Sequence, residues 1–406
     1  MSRILFIVPG VPLTFNYSGA ASRAAQNFLA LQSLGHEMHV LRFHNPGGSR
    51  AILDFEAASE AGQKPRQSAA SWQEVELPEN GSHSQVESLR RIFLAPTLHE
   101  FPHHLMLADA IHACVEATQP DLLWAEHSDA AAGVWRLRPN LPWVYAQTDM
   151  RYLIRSIRKG HQNLTDGLAD LAGRRAEASV IRAASFVVTG SHQEQLRLHK
   201  AGARAVSVIP MVSQSFPMLD LTSASASDLR LVHLGALETT ANRHGLTAYL
   251  ARAHSAALAQ ASFTLMVVGD TTGLKPPLSG LLRQPGVVCT GYVPDLATVL
   301  RPFDVSIFPY TYDSGYRTKL PLLMGYAQVI LATRAAVAGS LLPGLEDVCV
   351  LLDRVEDFPA KIAWLAANPS ERKRLGLAAR AFAAEHFSAE AVRSLYVSLL
   401  GRLQGQ

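Results

Sequence analysis

Short, unbroken runs of hydrophobic residues recur along this chain, each ending in a polar or glycine-containing turn. The first, Ile4–Val8, ends at Pro9-Gly10. An apolar run without alternation is the pattern of a strand buried on both faces of a parallel sheet. After the loop 9–19, Ala24, Phe28, Leu31 and Leu34 recur at helical spacing, which predicts a helix over 20–34 stopped by Gly35. Met38–Phe43 reads as the next strand. The same grammar returns at Leu122–Glu126, Trp143–Gln147, Phe186–Thr189 with a helix over 193–200, and Val206–Ile209. It restarts at Leu231–Leu234 before Gly235 and runs through Phe263–Gly269, Val287–Cys289, Val305–Pro309, Gln328–Ala332 and Val348–Leu352. The tail 371–403 reads as helical. Such alternation predicts α/β architecture with doubly wound parallel sheets and ligands at the carboxyl ends of the strands.

Two stretches break the pattern. Residues 45–85, rich in Gly, Ser, Gln, Ala and charge, read as a long mobile insertion. Residues 211–229, rich in Ser, Thr, Ala and Pro, read as a linker. The expected organisation is therefore 1–210, a linker 211–229, 230–385, and a C-terminal helix 386–406 packing back on the first domain. A length of 406 residues with 48% hydrophobic content supports two such domains. Lys+Arg 37 against Asp+Glu 34 is too small an excess to imply nucleic-acid binding. The three cysteines are scattered, which predicts neither disulfides nor structural zinc, and a reducing, cytoplasmic setting. No apolar stretch is long enough for a membrane span.

Several polar residues sit where ligands are expected. Ser18, Gly19 and Ala20 open a helix whose free N–H groups suit a diphosphate; a plain strand–helix turn is the alternative. Glu126, His127 and Asp129 follow one strand, and Asp149 follows the next. Asp149 is the first choice as a base, with His127 and Asp129 second, although His127 also fits a packed or loop histidine. Around Asp149, Arg151, Arg155, Arg158 and Lys159 recur at helical spacing and fit either a solvated face or an anionic acceptor or membrane surface. In the second half, Asp313, Arg317, Thr318 and Lys319 follow the strand ending at Pro309. Lys319, at a helix start, is placed to neutralise a phosphate. The chain has no Asp-x-Asp, so no tightly held metal is expected.

In this order the motifs resemble those of GT-B glycosyltransferases. The resemblance runs through Ser18-Gly19-Ala20, Gly35-His-Glu-Met-His-Val40, Phe186-Val-Val-Thr-Gly-Ser191, Leu234-Gly235 to Asn242, Val288-Cys-Thr-Gly-Tyr-Val293 and Arg317-Thr-Lys319. It is nearest to family-4-type transferases. Their donor helix has the frame Lys-x-x-Glu-Ala-x-Ala-x-Gly-x-Pro, here Lys319 with Leu322, Ala327 and Val329 at the glutamate, glycine and proline positions. Ser314 stands where the first signature glutamate would be. The xanthan glucuronosyltransferase group, which also lacks this signature, is a second comparison.

The resemblance implies two facing Rossmann-like domains with a cleft between them, an N-terminal acceptor-binding domain and a C-terminal donor-binding domain. It implies transfer of a sugar from a nucleotide-diphospho-sugar to a glycan, lipid-linked or small-molecule acceptor, without metal, in glycan or glycoconjugate biosynthesis. Donor contacts would fall to Ser18, Gly19, Ala20, Gly235, Asn242, Arg243, Tyr292, Asp313, Arg317, Thr318 and Lys319. Peripheral attachment at the inner membrane face is compatible with it. A nucleotide-sugar epimerase and a catalytically degenerate sugar-nucleotide-binding scaffold are the alternatives.

Overall fold

The computed structural model describes residues 1–14, 18–45, 48–57, 60–79, 85–147, 164–212, 217, 219, 221, 228–237, 239–312 and 316–404. The chain divides into two compact units. The first comprises Met1–Gly190, Glu194–Ile209 and Arg393–Gln406, and the second Ser191–Gln193 and Pro210–Val392.

The first unit is built on β1 (Arg3–Pro9), β2 (Glu37–His44), β3 (Ser71–Glu76), β4 (Leu122–Glu126), β5 (Trp143–Ala146), β6 (Phe186–Thr189) and β7 (Val206–Val208). All pairings are parallel, in the order β3-β2-β1-β4-β5-β6-β7. Residues Ile4 to Val8 are completely or almost completely buried, as a strand covered on both faces must be. Each such side chain contributes about 1.5–3 kcal/mol of burial free energy.

The structure departs from the sequence reading at 45–85. That stretch carries helices Gly48–Ala57 and Glu60–Ser68 and an added edge strand, β3, which pairs with β2 from His39↔Ser71 to His44↔Glu76. A buried charge ties it down. Arg42 is fully buried on β2; it donates to both Glu56 carboxylate oxygens, at 2.5 and 3.0 Å, and to Glu74 at 2.8 Å. Two carboxylates neutralise, through its two terminal nitrogens, a guanidinium that would otherwise be very costly inside a sheet.

The second unit repeats the plan with β8 (Arg230–Leu234), β9 (Thr264–Val268), β10 (Val287–Gly291), β11 (Val305–Phe308), β12 (Val329–Thr333) and β13 (Val350–Leu352). The parallel order is β10-β9-β8-β11-β12-β13. One face packs Leu246, Tyr249, Leu265, Val267 and Phe358; the other packs Phe308, Leu320, Met324, Ile330 and Phe382.

The C-terminal tail is two helices rather than one. Pro369–His386 stops at Phe387, and Ala389–Gln404 starts anew with the Ser388 hydroxyl accepting from Ala391 N at 3.1 Å. The final helix from Arg393 onward belongs to the first unit. No helix among the described residues is long and apolar enough to cross a membrane.

Candidate active site

In each sheet the strand order reverses direction at one place: between β1 and β4 in the first unit and between β8 and β11 in the second. Open α/β sheets bind ligands beyond the carboxyl ends of the strands at such switch points. Some of the candidate residues lie at each of them.

In the second unit, Lys319 opens the helix Lys319–Gly325 and turns its ammonium back over the end of β8. It donates to Leu234 O at 2.5 Å and to Asn242 Oδ1 at 2.8 Å. Asn242 is fully oriented. Its Oδ1 also accepts from the Tyr310 hydroxyl at 2.8 Å, and its Nδ2 donates to Ala236 O at 2.8 Å. Gly235, at φ 143°, makes room for this arrangement: a Cβ there would lie 1.7 Å from the lysine Nζ. Gly269 is equally tight, because its Cβ would lie 2.3 Å from Gly235 O.

Arg317 sits beside the lysine. Its backbone N–H donates to Ser340 Oγ at 2.7 Å and its Nε to Ala336 O at 2.8 Å, with the guanidinium 4.1 Å above the Tyr310 ring. Burial, and then the Arg317 charge, pull the Lys319 pKa down to about 7. Burial and the lysine hold buried His233 at about 3, so that histidine is neutral. Lys319 thus has two neutral oxygens as its described partners and a second cation as its neighbour.

Thr318 precedes the lysine without capping the helix through its side chain. Arg243 is exposed one residue beyond Asn242, and Tyr292 is exposed after β10; no described contact brings either to the lysine. Asp313 lies outside the described residues.

In the first unit, Ser18 caps the helix Gly19–Ser33, its Oγ accepting from Ala21 N at 3.1 Å, and Gly19 and Ala20 form the first turn. Arg23, on the same helix, is 3% exposed and donates to Ile209 O at 2.5 Å. At the end of β4, His127 adopts φ 73°, unusual for a residue bearing a Cβ. Its Nδ1 lies 3.5 Å from Asp129 Oδ2, and both side chains are about one-third exposed. Asp149, Arg151, Arg155, Arg158 and Lys159 fall outside the described residues. Among the described residues, no three His, Cys, Asp or Glu side chains converge as metal ligands would.

Sequence reasoning missed Tyr310 and the burial and partners of Glu126, the residue before His127. Glu126, 3% exposed, accepts through Oε1 from Asn27 Nδ2 at 2.6 Å and from Trp124 Nε1 at 2.7 Å. Tyr310 had a signal, since it directly follows a strand run; partners from distant helices leave none.

Residues 228–368 match the family model described as "Glycosyl transferases group 1". They are a group 1 glycosyltransferase domain. No curated protein matches the chain. Solved structures do, over nearly full length. The sucrose-phosphate synthase of Thermosynechococcus elongatus aligns with a TM-score of 0.71 and 16% identity, covering 100% of both chains. Anabaena HepE, in complex with UDP and glucose, gives 0.64 and 17%, over 99% of this chain and 100% of that one. S. aureus TarM, in complex with Fondaparinux, alpha-GlcNAc-glycerol and UDP, gives 0.66 and 11%, over 98% and 99%. At these identities the likeness establishes the fold. Its two Rossmann-like units and domain content make the chain a GT-B glycosyltransferase. The glycosyltransferase domain contains the entire Lys319 cluster, from Leu234 to Ser340.

Proposed function

We propose that this glycosyltransferase moves a sugar from a nucleoside diphosphate sugar to an acceptor hydroxyl without a metal ion, the donor diphosphate lying on Lys319. The observation that carries the reading is the lysine ammonium, enclosed at the β8/β11 switch point with neutral oxygens for partners. Departure of a nucleoside diphosphate builds negative charge, and fixed cations in a poorly hydrated site stabilise it without reorganising. Lys319 and Arg317 supply the cations, Gly235 the close backbone approach, and Asn242 holds the lysine. The N–H groups at Ser18, Gly19 and Ala20 are a second anion-binding element. Arg243, Tyr292, Asp313 and Thr318 border the donor. HepE in complex with UDP and glucose, and TarM in complex with UDP, support a uridine nucleotide as the first donor to try.

The acceptor hydroxyl must lose a proton, and the pairing of His127 with Asp129 supports His127 as the base. Asp129 faces its Nδ1, which leaves Nε2 to receive the proton and places a carboxylate beside the imidazolium that forms. Asp149 is the alternative base. Arg151, Arg155, Arg158 and Lys159 would hold an anionic glycan or a lipid-linked acceptor, the latter bringing the enzyme to a membrane surface.

A panel of nucleoside diphosphates and their sugars, with EDTA present throughout, tests the reading. One nucleoside diphosphate should raise Tm, since a ligand at 100 times its Kd adds about 2.7 kcal/mol of stability. Consumption of the matching nucleotide sugar should be stimulated by an acceptor and survive EDTA. Turnover indifferent to every acceptor would favour an epimerase, and binding without turnover a scaffold. Activity that requires magnesium or manganese would overturn the metal-free assignment.

A further inference from the structure

Behind His127 lies a buried polar chain that the proposed chemistry does not use. Glu126 ends an otherwise apolar strand, Leu-Leu-Trp-Ala-Glu, and one of its carboxylate oxygens takes two hydrogen bonds, from Asn27 and Trp124. Asn27 is itself fixed. Its Oδ1 accepts from the Tyr396 hydroxyl at 2.5 Å, and Tyr396 accepts in turn from Gln26 Nε2 at 3.3 Å. Tyr396 comes from the final helix and is completely buried, with its ring 6.5 Å from that of Trp124.

Burying a carboxyl, an amide and a phenol in one core is expensive compared with apolar packing of the same volume. Packing alone does not call for it. The residue directly after Glu126 is His127, whose left-handed backbone costs roughly 1–2 kcal/mol and persists only where its surroundings over-determine it. We propose that Glu126, held by Asn27 and Trp124 and through Asn27 by Tyr396, is a positioning residue that keeps His127 in this conformation and aims its ring. The inference rests on the reading of His127 as the base. It makes the last helix part of the acceptor-side machinery, 370 positions in sequence from Gln26.

Hydrogen-bond acceptance, rather than charge, is the function assigned to Glu126, because burial raises its pKa and favours the neutral carboxyl. Three variants separate this from a purely structural role: Glu126→Gln, whose amide oxygen still accepts from Asn27 and Trp124; Glu126→Leu, which does not; and Tyr396→Phe, which keeps the ring and loses the hydroxyl. The readouts are the His127 imidazole resonance in histidine-labelled protein, assigned with His127→Ala, together with Tm, UDP binding and UDP-glucose consumption.

Glu126→Gln should leave the resonance in place. Glu126→Leu and Tyr396→Phe should displace or broaden it and slow turnover at least about tenfold, part of the 10²–10⁴ that a positioned base contributes, with UDP affinity unchanged. An unmoved resonance in folded Glu126→Leu would reduce the network to packing and overturn the proposal. If Glu126→Leu does not fold, an unmoved resonance in Tyr396→Phe does the same. Full activity of His127→Ala would instead remove the base reading on which the proposal rests.

Discussion

A lysine enclosed with only carbonyl oxygens as its described partners is a poor structural element and a good receptor for an anion. Lys319 releases its proton at about 7 instead of the ordinary 10.5, first because of burial and then because of Arg317. A folded pKa below the unfolded one means that this group opposes folding below about 7, and that the opposition fades as pH rises from 7 to 10.5. A bound diphosphate restores the charge and reverses the shift. Above pH 7, binding should therefore take up a proton at this site, and UDP affinity should fall by up to about tenfold per pH unit. Calorimetric titration at pH 8 in two buffers of different ionisation enthalpy should show uptake approaching one proton; binding with no uptake would mean that the ammonium does not meet the phosphates. Lys319, Gly235 and Asn242 were legible in the sequence because each follows a strand run or stands in a recognisable frame. The chain from Tyr396 to Glu126 was not, since a hydrogen bond between residues 369 positions apart leaves no local pattern.

Among the elements, the strands that emerged from the sequence are those with continuous hydrophobic runs; most are buried on both faces, while the edge strands β10 and β13 emerged on short apolar runs with no fully buried position. β3 escaped because its sequence, Ser-Trp-Gln-Glu-Val-Glu, carries no apolar run and its polar pattern reads as loop. The break between the last two helices falls within a few residues of the 385/386 boundary expected from the sequence; neither glycine nor proline marks it, and Ser388 caps the new helix. Ala327 shows how the resemblance carries structural content. It replaces the family's glycine yet adopts φ 55°, the conformation that glycine takes without strain. Just there the helix Pro369–His386 comes closest, since a Cβ on Gly376 would lie 2.3 Å from Ala327 O and 2.9 Å from Phe303 Cδ1. Backbone is in the way, not a flexible side chain. Gly376→Ala should therefore lower stability by about 1–3 kcal/mol, seen as a lower urea midpoint with an unchanged slope; an unchanged midpoint would show that the helix contact is looser than this geometry requires.

In the molecule as a whole, the two units repeat one strand order, and each brings its polar residues to the place where that order reverses. The repetition fits a chain with only 17% charged residues: most of the sequence covers two parallel sheets, and the Lys319 and His127 groups lie in the loops beyond the strands that flank the two switch points. The proposed function divides the labour accordingly, with the cations that meet the donor diphosphate in the second unit and proton transfer in the first. The claim on which this division depends is that Lys319 binds the donor diphosphate. Titration of UDP into the wild type and into Lys319→Ala at pH 6.5, with circular dichroism confirming that both are folded, tests it most directly. Loss of one charge-assisted hydrogen bond, about 1.5–3 kcal/mol, predicts at least a tenfold weaker Kd for the variant. Equal affinity in the two proteins would contradict the account.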